Sequence, residues 1–275
     1  MIETLLLPFE FPVMQRAFLL AVIIAVPTGL LSCFLVLKGW ALMGDAVSHA
    51  ILPGVVLAYV FGVPLILGAF SAGMMTTVAT GYLAEHSRVK RDTIMGIVFS
   101  AMFAVGIILQ TSIATDLHLD HILFGNVLGV QTSELWSTGL IATLATAVLV
   151  LKWKDFLLHA FDPVQAKVAG LAVGWLHYGL MAILSLTIVA TMSTTGLILS
   201  VGLLIAPGAI AFLVVRSFGH MLITAVAVCV ISTVGGVYAS VHLDSDPGAT
   251  IILVLTALFV LALFGRGVSQ RLGAA

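Results

Sequence analysis

Long apolar runs dominate this sequence and restrict what it can fold into. Ile94 to Ile113, Leu135 to Leu151 and Ile251 to Phe264 are apolar on nearly every face, without the alternation of a membrane strand. Backbone groups in lipid must be satisfied within their own segment, so these runs predict membrane-spanning helices. Of 275 residues, 61% are hydrophobic and 8% are charged, too few charges for a water-facing surface. The sequence therefore predicts an all-α, polytopic membrane bundle.

The lengths of the apolar runs, and the glycine, proline and charged residues that separate them, predict about nine membrane spans. They leave no room for a separate soluble domain, so residues 1–275 are predicted to form a single transmembrane domain. The predicted spans are 14–37, 40–62, 64–84, 94–113, 134–151, 170–191, 196–215, 220–240 and 249–265.

The basic residues predict the direction of insertion. With the N-terminus outside and the C-terminus in the cytoplasm, only Arg16 of the 11 Lys and Arg residues lies outside. The outer loops then carry acidic and histidine side chains. Such side chains would suit a protein that receives a cation from outside, but outer loops that merely lack Lys and Arg would show the same composition. Those residues, to which the sequence assigns no role, are Asp116, His118, Asp120, His121, Asp244 and Asp246.

The net charge and the cysteines argue against nucleic-acid binding and against cysteine-based cross-links or metal sites. The formal net charge of −1 argues against a nucleic-acid-binding protein. Cys33 and Cys229 both lie inside apolar runs, so neither a disulfide framework nor a thiolate metal site is expected.

Two ionisable residues lie where hydrocarbon is expected. Both lie near the start of the second predicted span, where a rise of about 1.5 Å per residue puts Asp45 about 10 Å in from Lys38 and His49 about 6 Å deeper. An aspartate at a helix centre costs roughly 2.5–3.5 kcal/mol on insertion scales and normally faces the bundle interior. The i, i+4 spacing puts both side chains on one face, where they offer half of a coordination shell for a divalent metal. The alternative is an Asp–His hydrogen bond that braces two helices.

A second informative stretch runs from Gly196 to Gly219. Pro207-Gly208 predicts a helix break, and a short re-entering helix, just before the cytoplasmic exit at Arg216. A simple proline kink in one span is the alternative. Ile51-Leu-Pro-Gly54 recurs here as Ile205-Ala-Pro-Gly208, which is weak evidence of an internal repeat.

Several catalytic motifs are absent from the sequence. There is no phosphate-binding loop of the G-x-x-x-x-G-K-[ST] type, no H-E-x-x-H and no G-x-S-x-G. The chain is therefore not expected to be an enzyme, and any ATP would be hydrolysed on another chain.

Residues Lys38 to Gly54, with the core Gly44-Asp-Ala-Val-Ser-His49 followed by Pro53-Gly54, resemble the permease subunits of bacterial zinc/manganese/iron ABC importers. The likeness extends through Phe124 to Gly129 and Val201 to Gly208, and covers nearly all of residues 14–266. It implies a multi-pass protein of the bacterial cytoplasmic membrane, in the manganese branch. The implied partners are ATPase subunits, an extracytoplasmic metal-binding protein and a second permease copy or related subunit.

The resemblance also implies roles for individual residues. Asp45 and His49 match the family's intramembrane metal ligands. The family's ATPase-coupling segment corresponds to Ala206, Pro207 and Gly208, with Arg216 at its exit. A cytoplasmic gate would include His86, Arg88, Lys90 and Arg91, and residues 116–130 would form a short outer helix.

The sequence therefore favours the membrane subunit of an ABC importer for Mn(II), with Fe(II) or Zn(II) as further possibilities. Three alternatives stay open: a secondary cation transporter driven by an ion gradient, a membrane scaffold braced by Asp45 and His49, and a permease of the same type for a chelated metal or cofactor.

Overall fold

Ten helices form the bundle in a computed structural model that describes residues 11–40, 42–113, 125 and 127–272. In chain order the helices are α1 Pro12–Lys38, α2 Met43–Ala50, α3 Leu52–Phe61, α4 Leu65–His86, α5 Arg91–Ser112, α6 Thr132–Phe161, α7 Pro163–Val168, α8 Val173–Val214, α9 Phe218–Leu243 and α10 Pro247–Leu272. Over these residues eight helical segments are long and apolar enough to cross a membrane, α2 and α3 together forming one of them. The predicted all-α membrane bundle is confirmed.

Helix α1 lies at the centre of the bundle and packs against α6, α8 and α9. It ends at Gly39, whose left-handed backbone (φ 65°) lets its N–H bond back to the carbonyls of the last turn. This cap separates α1 from α2, so Asp45 lies in the first turn of α2. The cap falls at the joint predicted between the spans 14–37 and 40–62. The second helix begins at Met43 rather than at residue 40, so Asp45 is shallower in its helix than predicted.

The 42-residue helix α8 corresponds to two predicted spans. At 1.5 Å per residue it would be about 63 Å long, roughly twice the hydrocarbon thickness of a bilayer. Its backbone is non-helical at Gly196 (φ 79°, ψ 174°), close to the predicted joint between the spans 170–191 and 196–215. The nine predicted spans and the eight observed segments therefore differ mainly in how this helix is counted.

The break predicted at Pro207-Gly208 is wrong. Helix α8 continues through Pro207 to Val214. Gly208 packs so tightly against α1 that an added Cβ would lie 2.5 Å from the Ser32 carbonyl carbon. Proline is tolerated in a membrane helix where neighbouring helices support it, as α1 does here.

The stretch Lys152 to Lys167, expected to be a joint, is also mostly helical. Helix α6 continues to Phe161 and stops at Asp162, whose side chain accepts two backbone hydrogen bonds from α7. Pro163 follows, and the residue before a proline is disfavoured in helical conformation. The predicted outer helix over 116–130 falls largely outside the described residues, which show a turn at 127–129.

Gly196→Ala is expected to lower the thermal stability of the purified protein. The Gly196 backbone lies in a region that is essentially glycine-only, where another residue costs on the order of 1–3 kcal/mol. Gly125 packs directly on this break, since an added Cβ at Gly125 would lie 2.2 Å from the Gly196 nitrogen. The measurement is the unfolding midpoint by scanning fluorimetry in detergent. Gly179→Ala in the same helix, where a Cβ meets nothing within 4 Å, is the matched control and should not lower it.

Candidate metal centre

Helix α2 buries nearly all of its residues and leaves one face open. Met43, Gly44, Val47 and Ser48 are among the buried positions, whereas Asp45 and His49 retain 40% and 28% of their side-chain exposure. The buried face packs closely, because a Cβ on Gly44 would lie 3.3 Å from Leu204 of α8. The predicted one-face arrangement of Asp45 and His49 is present in the structure.

The geometry of the pair fixes the tautomer of the histidine. His49 Nδ1 lies 3.0 Å from the backbone oxygen of Asp45 and 3.3 Å from its Oδ1. Both neighbours are acceptors, so Nδ1 must carry the proton and donate. In the neutral imidazole Nε2 then keeps the lone pair. A metal-binding histidine is usually held in this way, with its other N–H donated to a carbonyl or carboxylate.

Two aromatic rings of α5 hold the imidazole in place. The His49 ring centroid lies 5.9 Å from that of Phe99 and 5.5 Å from that of Phe103, the second edge-to-face. These contacts fix the direction of Nε2. Sequence patterns did not indicate either phenylalanine, because the contact joins residues about 50 positions apart on different helices.

Pro53 changes the backbone beside the histidine. Proline has no N–H, so residue 53 cannot donate to the carbonyl of His49, its helical partner four residues earlier. The helix divides here, with α2 ending at Ala50 and α3 beginning at Leu52.

One chain supplies only part of a coordination shell. Within the ranges that the structure describes, no group of three or more His, Cys, Asp or Glu side chains could hold a metal ion. The acidic and histidine residues Asp116, His118, Asp120 and His121 lie outside those ranges. Asp244 ends α9 in a left-handed conformation and Asp246 accepts from the Ala249 N–H at the start of α10, so both have local structural roles.

The residues of the predicted coupling segment lie in two different environments. Pro207 and Gly208 are buried inside the bundle, so they present no surface to another chain in this conformation. Ala206 is half-buried. Arg216 is exposed, in the turn between α8 and α9. Their coupling role remains a prediction.

The predicted gate residues lie at the end of α4, in the turn that follows it and at the start of α5. His86 ends α4, where its ring stacks on that of Tyr82 with 4.2 Å between the centroids and its Nδ1 lies 2.9 Å from the Tyr82 carbonyl oxygen. Arg88 and Lys90 follow in the exposed turn before α5 begins at Arg91. Val47 of α2 contacts the Gly73 position of α4, and Gly54 of α3 contacts Gly68, so α4 is antiparallel to α2 and α3. The turn therefore lies at the end of the bundle where α2 begins. The gating role itself stays a prediction.

Apolar membrane-crossing helices, with an acid–imidazole pair on the open face of one of them, define a multi-pass membrane protein with a candidate cation site. The chain belongs to the ABC 3 transport family, whose model matches residues 10–266. The resemblance inferred from the sequence is confirmed at this level, and the chain is a transport permease of the bacterial cytoplasmic membrane.

Similar proteins cover nearly the whole chain. The chelated iron transport system membrane protein YfeD of Yersinia pestis is 54% identical over 256 residues, 93% of this chain and 86% of its own. The manganese transport system membrane protein MntB of Synechocystis is 43% identical over 258 residues, 94% and 84% of the two chains. The structure of PsaBC from Streptococcus pneumoniae in complex with Fab matches with a TM-score of 0.85, 33% identity and 95% coverage of each chain.

Proposed function

We propose that this chain is the membrane permease of an ABC importer that passes a divalent transition metal, with Mn(II) as the main cargo and Fe(II) or Zn(II) as further cargo. The observation that carries the proposal is the Asp45–His49 pair, in which Nδ1 is committed to two oxygen acceptors and Nε2 keeps its lone pair. Relatives described as manganese and chelated iron transport proteins support the same class of cargo.

The proposed site is completed by a second permease, either another copy or a related subunit. One chain offers a carboxylate and an imidazole on an open face, and a two-fold partner would double that set. Carboxylate and imidazole together suit Mn(II), which binds at the weak end of the divalent series. Weak binding is what a transport site needs, because the ion must also leave.

ATP hydrolysis is assigned to separate ATPase chains, since this sequence has no phosphate-binding loop. We place their docking surface at the exposed turn that carries Arg216. Ala206, Pro207 and Gly208 would then transmit movement through α8, because Gly208 is in direct backbone contact with α1. An extracytoplasmic binding protein would deliver the metal, and the α4–α5 connection with His86, Arg88, Lys90 and Arg91 would gate its exit.

The function is tested by reconstituting the permease with its ATPase in proteoliposomes and measuring uptake of radiolabelled Mn(II). We expect uptake to require ATP on the side of the membrane that carries the ATPase. It should also require the binding protein on the opposite side, from which the metal is delivered. Uptake by the permease alone, driven by a proton or sodium gradient, would instead identify a secondary transporter. Uptake only of a chelate, without competition by free Mn(II), would assign a different cargo.

A further inference from the structure

An apolar groove of about 680 Å³ opens on the outside of the bundle between α1, α6 and α9. We call it the α1–α6–α9 groove. Its volume falls within the range of ligand-binding pockets, and most of its wall is aliphatic. The lining residues that matter below are Val26, Leu149, Trp153, Ser217, Gly219 and His220.

The groove has one apolar end and one polar end. Helices α1 and α9 are antiparallel, since the Cys33 thiol donates to the Met221 carbonyl and the Gly29 position contacts Val226. The Val26 end is therefore aliphatic, whereas Trp153, Ser217 and His220 lie together at the other end. Such an apolar body with a polar tip matches an acyl chain below a lipid headgroup.

One lysine ammonium lies beside the polar end. The ammonium of Lys154 lies 5.6 Å from the centre of the Trp153 ring, which lines the groove. Lys152 lies one position before Trp153 and is paired with Asp155 at 3.1 Å, so the charge of Lys154 is the one available to an anion. Tryptophan and lysine at the edge of a membrane span are typical of the headgroup level, and basic pockets between membrane helices bind anionic headgroups.

The groove is separate from the candidate metal centre. Helix α2, which carries Asp45 and His49, packs on α4, α5 and α8, whereas the groove is lined by α1, α6 and α9. A second permease that meets this chain at the Asp45 face would therefore leave the groove facing lipid.

We propose that the α1–α6–α9 groove is a binding site for one anionic phospholipid. Its acyl chain lies along Val26 and Leu149. Its phosphate lies beside the Ser217–His220 pair, whose Oγ and Nδ1 are hydrogen-bonded to each other, and opposite the ammonium of Lys154. The bound lipid fills the groove between the three helices, and it ties α9 to α1 and α6.

The test uses the purified full-length protein in nanodiscs of phosphatidylcholine that contain a small fraction of phosphatidylglycerol with brominated acyl chains. Bromine quenches tryptophan fluorescence at contact, and the Trp153 contribution is the difference between the wild type and W153F. We expect this contribution to be quenched at low phosphatidylglycerol fractions and to saturate. The same fraction of brominated phosphatidylcholine should quench it only in proportion to its share of the bulk lipid.

Two variants with matched controls complete the test. G219L should abolish the saturable quenching, because its side chain extends into the groove from a position where a Cβ meets nothing within 4 Å. G235L, at an equally open position of the same helix, should leave it unchanged. K154Q should weaken phosphatidylglycerol binding about fivefold, which corresponds to one charge near a headgroup, whereas K167Q on α7 should not.

Three results would overturn the proposal. Equal quenching by the two brominated lipids would mean that the groove does not select an anionic headgroup. Unchanged quenching in G219L would mean that the lipid lies elsewhere around Trp153. A lack of Trp153 quenching by either lipid would mean that a protein surface, such as a second copy, covers the groove.

Discussion

Asp45→Asn is expected to reduce metal uptake by more than about 100-fold in the reconstituted transporter, while leaving the amount of folded protein unchanged. Substitution of groups that only support a metal ligand typically costs 10–100-fold, and Asp45 is proposed to be a ligand itself. The change keeps the shape of the side chain but removes its charge. Because Asp45 is on the open face of α2, with 40% of its side chain exposed, the packed face of the helix is not disturbed.

The matched control for this substitution is Asp92→Asn. Asp92 also lies in the first turn of a helix, α5, so the two variants lose the same favourable interaction with a helix N-terminus. Radiolabelled Mn(II) uptake and the size-exclusion profile are measured for both. Wild-type uptake by Asp45→Asn would remove Asp45 from the site. A collapsed size-exclusion profile for Asp45→Asn alone would favour the brace that the sequence left open.

The second large effect is expected at the crossing of α3 and α4. Gly54→Ala should destabilise the protein by about 3 kcal/mol or more, at the upper end of the cost of overpacking. A Cβ on Gly54 would lie 2.1 Å from the Gly68 carbonyl oxygen and 2.6 Å from the Ala72 Cβ, and a backbone carbonyl cannot rotate away. The helices would have to separate, and α3 would pull on the His49 end of α2.

Thermal unfolding midpoints in detergent test this prediction, together with uptake by the protein that remains folded. Gly68→Ala should behave alike, because its Cβ would lie 2.2 Å from the Gly54 carbonyl oxygen. Gly96→Ala, at a helical position with nothing within 4 Å, should not lower the midpoint. If Gly54→Ala and Gly96→Ala melted at the same temperature, the close crossing would not exist as described.

The helical class and most of the membrane spans followed from the sequence because hydropathy and length report directly on lipid burial. Helix ends were less predictable. The prediction ended the fifth span at 151, but α6 continues to Phe161, since charged residues such as Lys152 do not stop a helix once it leaves the apolar region. The stop comes from Asp162 and Pro163, which act through backbone geometry.

The two proline–glycine pairs show why local rules can mislead in a membrane protein. Pro207 was expected to break its helix, but the break occurs at Gly196, where the backbone needs a conformation that only glycine readily adopts. Gly54 and Gly208 are instead used for close helix contacts, with Gly68 and with the backbone at Ser32. Such contacts depend on partners far away in the chain, which no local pattern specifies.

The candidate site was predictable in part for the same reason. An acid and an imidazole four residues apart lie on the same face of any helix that contains them, and the structure places them together on an open face. The phenylalanines that orient His49 depend on how α5 packs on α2, so only the fold reveals them. The bond from His49 Nδ1 to the Asp45 carbonyl is local to α2 and follows from the same four-residue spacing. The second half of the proposed coordination shell lies beyond a single chain.

The central claim, that Asp45 and His49 bind the transported ion, is tested most directly by electron spin echo envelope modulation of Mn(II) held in the assembled transporter. The account predicts modulation from a directly bound imidazole nitrogen in the wild type and its loss in His49→Gln. Nitrogen modulation that persists unchanged in His49→Gln, or Mn(II) bound in the wild type without any nitrogen ligand, would contradict it.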